Sequence, residues 1–248
     1  MPKLITLLYL VAIAAIANHA SAATQILSSE EQRSVLVELY TSEGCSSCPP
    51  ADRWLSSLKS DPRLWQQIVP VAFHVDYWNY LGWRDRFAHA RYSKRQSDYE
   101  RHDFLQTVYT PGVMRNGREW RSWSRFDIPI TEEREKAGVL KATLRDGDAV
   151  VEFAPNHLYQ SPLILNIALL GFDLTSRVAA GENAGKILKH DFVVLDFQQL
   201  SQAPHDGVFR WEPSGLINGM TEKPSGIALW VTTPNDPTPL QTTGGWLK

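Results

Sequence analysis

The chain has two cysteines, Cys45 and Cys48, and they stand three positions apart. A disulfide between them closes so short a loop that it removes little entropy from the unfolded chain, because that stabilisation grows with the logarithm of loop length. The pair is therefore a poor staple and makes more sense as chemistry. Where a Cys-x-x-Cys precedes a helix, the free N–H groups at the helix start favour an anion, and the first thiol ionises more readily. Cys45 is then the nucleophile that forms a mixed disulfide with a substrate, and Cys48 resolves it from one helical turn further in. Ser46 and Ser47 either add hydroxyl donors to the thiolate or serve only as small turn residues. Two other uses of the pair stay open. Thiolates bind copper or zinc, but a structural zinc site takes four protein ligands. With no second cysteine pair, His74, His89 and His102 would have to complete that set. The pair can also be an inert disulfide in an adaptor protein. The residues assign no metal site and imply no cofactor.

The cysteines need elements that hold them at a helix start, and the flanking sequence supplies these. Residues 34–40 form an apolar run with β-branched members, suited to a buried strand. Thr41, Ser42, Glu43 and Gly44 read as a turn. After Pro49 and Pro50, which a first helical turn tolerates, Ala51, Trp54, Leu55 and Leu58 recur at helical spacing until Asp61 and Pro62. Residues 69–75 read as a second buried strand, with Pro70 near its beginning. Charged helical sequence follows over about 83–102, then a short strand at 106–109. Asn116-Gly117 is a two-residue hairpin signal.

A β-α-β half followed by a hairpin is the thioredoxin order. In such folds a cis-proline faces the dithiol, and Pro111 is the candidate, with Thr110 offering backbone groups to an extended substrate. His74 and Asp76, at the end of the second strand, are candidate proton acceptors or hydrogen-bonded structural residues. Trp78, Tyr80 and Trp83 form a substrate lip or fill a core.

From about Gly138 the pattern changes to short alternating strands: 140–144 and 149–153 around Asp146-Gly147, then 163–172, 186–197, 208–211 and 227–231. Frequent turns without a clear helix suggest an antiparallel sandwich. The expected fold is thus an α/β thioredoxin-like domain over 23–135, followed by an all-β, sandwich-like domain over 136–248, with the boundary in the charged 131–136 segment.

Residues 1–22 read as a cleaved signal peptide: Lys3, an apolar run to about Ala17, and Ala20-Ser21-Ala22 before the cut. The apolar run falls short of the about 20 residues that span a bilayer. The expected location is periplasmic or secreted, with no membrane anchor after cleavage, in an oxidising compartment where disulfides persist. Loss of Lys3 takes the net charge from −2 to −3, and without a basic run there is no electrostatic case for nucleic acid. The expected partners are protein or small thiol and disulfide substrates, with a redox partner.

Several segments resemble the secreted family called domain of unknown function 1223: VELYTSEGCSSCPPAD at 37–52, FHVDYWNYLGW at 73–83, Arg95-Gln96 with Tyr99, and Tyr109-Thr110-Pro111. Gly181-Glu182-Asn183-Ala184-Gly185 with Leu188 resembles its C-terminal motif, which by composition is a structural turn. The resemblance implies a thioredoxin-like fold and bacterial export, and brings no substrate. Members usually continue after the hairpin with a helix; here 124–136 contains Pro129 and little helical periodicity.

Overall fold

The computed structural model describes residues 24–125, 127–130, 135–145, 148–202, 207–212 and 220–248. The signal-peptide reading of 1–22, the Asp146-Gly147 turn and most of the 131–136 segment lie outside the described residues.

β1 (Gln25–Ser28) is followed by β2 (Val35–Thr41), helix α1 (Pro49–Ser57), β3 (Ile68–His74) and helix α2 (Ala90–Arg101). Every residue of β2 and β3 is buried, as their largely apolar sequence favours, and Glu38, Thr41 and His74 are buried with them. The two strands pair in parallel, Val35 opposite Ile68 through Thr41 opposite His74. Pro70 costs no ladder bond. The Ala72 N–H points away from β2 to the Phe192 carbonyl at 2.8 Å, and by the two-residue alternation of a strand the Pro70 nitrogen faces that same side, before that pairing begins. β4 (Gly112–Arg115) and β5 (Arg118–Glu119) form the hairpin at Asn116 and Gly117, whose φ values of 48° and 78° are those of its tight turn.

The remaining strands are β6 (Gly138–Arg145), β7 (Asp148–Pro155), β8 (Leu163–Gly171), β9 (Leu174–Arg177), β10 (Ile187–His190), β11 (Val193–Gln202), β12 (Val208–Trp211), β13 (Gly226–Thr233) and β14 (Asp236–Trp246). They build three sheets with β1–β5. An eight-stranded sheet runs β14-β13-β8-β11-β3-β2-β4-β5, a four-stranded sheet runs β1-β6-β7-β12, and β9 pairs with β10.

Two cores follow from strand alternation. On β8 and β13, Ala168, Leu170, Ala228 and Trp230 join the core around β2, β3, α1 and α2. Their neighbours Leu165, Ile167, Leu169, Ile227, Leu229 and Val231 join the second core, with Leu140, Val151 and Phe153 of the four-stranded sheet. Both faces of these strands are covered, which is why they read as continuous apolar runs.

This corrects the expected fold class. An α/β thioredoxin-like domain followed by a sandwich-like one is not what the chain forms. The described residues are mostly β, in three sheets with two α-helices. The physical reason lies at the open edge of β3. β11 docks there in parallel, Val193 opposite Ala72, and carries β8, β13 and β14 into the same sheet. The helical reading of 83–102 holds only for α2, the segment 106–109 forms no strand, and the 186–197 run breaks into β10 and β11 at Phe192, with φ 58°.

Candidate functional site

Cys45 and Cys48 are joined in a disulfide, with Cα atoms 5.5 Å apart. Cys48 is the N-cap of α1, and Pro49 and Pro50 occupy its first two positions. The Cys48 carbonyl accepts the first helical bonds, from Ala51 N at 2.8 Å and Asp52 N at 3.1 Å. Both cysteines are buried, at 1 % and 0 % exposure, while Ser46 and Ser47 between them are exposed. Ser47 Oγ lies 3.4 Å from Cys45 Sγ.

Elements far apart in sequence hold this loop. Gly44 lies against Trp78: a Cβ there would sit 2.9 Å from the Trp78 Cβ, so only glycine lets the two segments meet. The Trp78 indole donates to Thr110 Oγ1 at 2.8 Å, and the Thr110–Pro111 peptide is cis. From α2, Gln96 Nε2 donates to the Tyr109 carbonyl at 2.7 Å, and Gln96 Oε1 accepts from the Tyr77 hydroxyl at 3.0 Å. On the other side stands the turn between β9 and β10. The buried Asn183 amide donates to the carbonyls of Glu43 and Cys45, each at 2.9 Å, and Glu182 Oε2 accepts the Ser46 N–H at 2.9 Å. Beside it a cleft lined by Ser46, Pro49, Pro50, Arg53, Lys186 and Ile187 opens to solvent.

Beneath the loop lies a buried cluster of ionisable groups: Glu43, Asp52, His74, Asp85 and His190. His74 Nδ1 is 2.7 Å from Asp85 Oδ2, which also accepts the Glu43 N–H at 2.9 Å. His190 Nε2 is 3.4 Å from Glu43 Oε1, and its Nδ1 is 3.9 Å from Asp52 Oδ2. The Trp83 indole donates to Glu43 Oε2 at 2.7 Å. Burial pushes the His74 pKa down, but the surrounding carboxylates, Asp85 foremost, outweigh it and raise the pKa. Burial likewise pushes Asp85 up, and His74 overcomes it and holds that carboxyl below its ordinary range. Asp52 goes the other way: burial raises its pKa, and His190 and His74 offset only part of the rise. Thr41 Oγ1, His74 Nε2 and both ring nitrogens of His190 are buried without a hydrogen-bond partner among the described residues, which is rare for native polar groups.

The structure thus brings His74 into the cluster and leaves Asp76 outside it, bonded through its N–H and carboxylate to Ser93 of α2. Trp78 and Trp83 anchor the loop, whereas Tyr80 is 78 % exposed. His89 caps α2 and His102 ends it. Helical rise separates them by about 20 Å, too far to share one metal ion. Among the described residues no group of three or more His, Cys, Asp or Glu is arranged to hold a metal. Sequence reasoning missed Glu43, Asp52, Asp85, Glu182, Asn183 and His190. Asp52 had a local signal, a carboxylate one helical turn after Cys48 on the same face, and Glu182 and Asn183 stood in the motif read as a structural turn.

Fold and site together define a mostly β protein with a closed Cys-x-x-Cys disulfide set over a buried carboxylate–imidazole cluster. The chain belongs to the family described as protein of unknown function (DUF1223), whose profile matches residues 36–232. The segments quoted for the resemblance find physical roles here: Arg95 pairs with buried Glu38 at 2.9 Å, Tyr99 donates to the same carboxylate, and Gln96 holds Tyr109. A crystal structure of a protein from Agrobacterium tumefaciens is similar at 26 % identity, with a TM-score of 0.64, covering 88 % of this chain and 95 % of that one. HBP35 of Porphyromonas gingivalis is similar in fold alone, at 14 % identity and a TM-score of 0.53, covering 87 % of this chain and 76 % of that one. No curated protein matches the chain.

Proposed function

We propose that this protein is an exported thiol–disulfide exchange protein in which Cys45 is the attacked and attacking sulfur and Cys48 the resolving one. The observation that carries the reading is a disulfide across a three-residue separation at the start of α1, too short a loop to be kept for stability. From the oxidised state, a substrate thiolate attacks Cys45 Sγ. The Cys45–Cys48 bond breaks, a mixed disulfide forms on Cys45, and Cys48 leaves as a thiolate that takes up a proton. A second substrate thiolate then attacks the substrate sulfur of the mixed disulfide and releases Cys45. Two substrate thiols become one disulfide, and their two electrons and two protons end on the cysteine pair. The reverse sequence reduces a substrate disulfide.

Asp52 is the proton carrier for Cys48 in this reading. It is buried, one turn along the same helix, and burial keeps it protonated to a higher pH than an ordinary carboxylate. His74, committed to Asp85, tunes the cluster. Thr110 and cis-Pro111, tied to the cysteine loop through Trp78, orient the substrate backbone.

The test is a pair of variants incubated with a chromogenic disulfide. Cys48→Ala is expected to accumulate a stable mixed disulfide on Cys45, and Cys45→Ala to form none. Equal labelling of both variants, or of neither, would refute the assigned roles.

A further inference from the structure

Cys45 and Cys48 are almost closed off from solvent, and the turn at 181–185 closes one side. Asn183 is neutral, fully buried and bonded to two carbonyls, so it fixes the backbone. Glu182 is different. It is exposed and charged, and its carboxylate sits on the N–H of Ser46, the residue that follows Cys45. That peptide N–H lies in the segment before α1, next to the cysteine that becomes the nucleophilic thiolate. The charge also lies one residue from the sulfur that must become an anion on reduction. At the end of the same turn, Lys186 Nζ is held 2.8 Å from Asn183 Oδ1.

Resting on the exchange reading above, we propose that Glu182 is a redox-tuning residue: its carboxylate, held on the Ser46 N–H, disfavours the reduced pair with its Cys45 thiolate and so favours the disulfide. It touches no substrate atom and acts through Ser46 and the field at Cys45, which makes it a positioning residue. Its side chain is exposed, so the field is screened by water and salt, and a moderate effect follows.

The experiment is a glutathione redox titration of the whole mature protein and of its Glu182→Gln variant at pH 7.5, with thiols trapped by alkylation. Glutamine keeps the acceptor oxygen and removes the charge. The expected result is an equilibrium moved about threefold toward the dithiol, about 14 mV less negative at 29.6 mV per tenfold. The difference should shrink in 0.5 M salt, and the pH profile of Cys45 alkylation should move to lower pH. A purely structural contact would move neither the salt dependence nor that profile. Two reversible couples with equal potentials, or a shift toward the disulfide, overturn the role of Glu182 and leave the exchange reading standing. A pair that does not titrate reversibly in either protein overturns both.

Discussion

His74 and Asp85 face each other at 2.7 Å with neither side chain reaching solvent, and the pair sets a pH dependence. The raised His74 pKa gives stability that is complete below about 6.5 and is lost as pH rises through the higher folded value. The lowered Asp85 pKa gives stability that is present above about 4 and lost as pH falls through its lower folded value. Asp52, raised by burial, favours the folded state most while protonated, and that contribution is lost as pH rises from about 4 through its higher folded value. The oxidised protein should therefore show its highest urea midpoint in mildly acidic solution and a lower one at pH 8.5. Asp85→Asn should cost about 3 kcal/mol by leaving a buried partner uncompensated, and should flatten the profile. A wild-type midpoint that is level or rises from pH 5 to 8.5 would contradict this account. The cysteines of the site were legible because their spacing is local. Glu43, Asp85 and His190 were not, because each gains its meaning from partners far along the chain.

The turn between β9 and β10 packs against the cysteine loop. Gly181 and Gly185, with φ of 76° and 80°, mark a tight turn, and composition showed that much. What composition cannot show is where the tip lands: Asn183 reaches Cys45, 138 residues away. Asn183→Ala should cost about 1–3 kcal/mol, since two buried carbonyls lose their donor. It should also speed reduction of the disulfide by dithiothreitol by loosening the loop over Cys45. Reduction at the wild-type rate with unchanged stability would show that the turn does not hold the loop. α1 behaved as its sequence required, because Pro49, Pro50 and the spacing of Ala51 and Leu55 are local signals.

Across the whole molecule, strands were easier to read than their partners. The runs that became β2, β3, β8 and β13 announce burial through composition, but nothing local says that β11 will pair with β3 and merge the sheets. Side chains that tie the layers are equally silent in sequence. Gln241, fully buried on β14, accepts the Ser34 N–H at 3.0 Å and donates to the Gly138 carbonyl at 2.8 Å, joining β14 to the segment before β2 and to β6. A chain this closely bonded around Cys45 and Cys48 holds the pair in a defined setting, and the proposed use of that setting is thiol–disulfide exchange. The decisive measurement is the reduction potential of the protein in glutathione buffers. The expected result is a reversible two-electron couple between about −120 and −270 mV, with the fold retained in both states. A disulfide that stays closed below about −300 mV, or opens only on unfolding, would contradict it and mark the pair as structural.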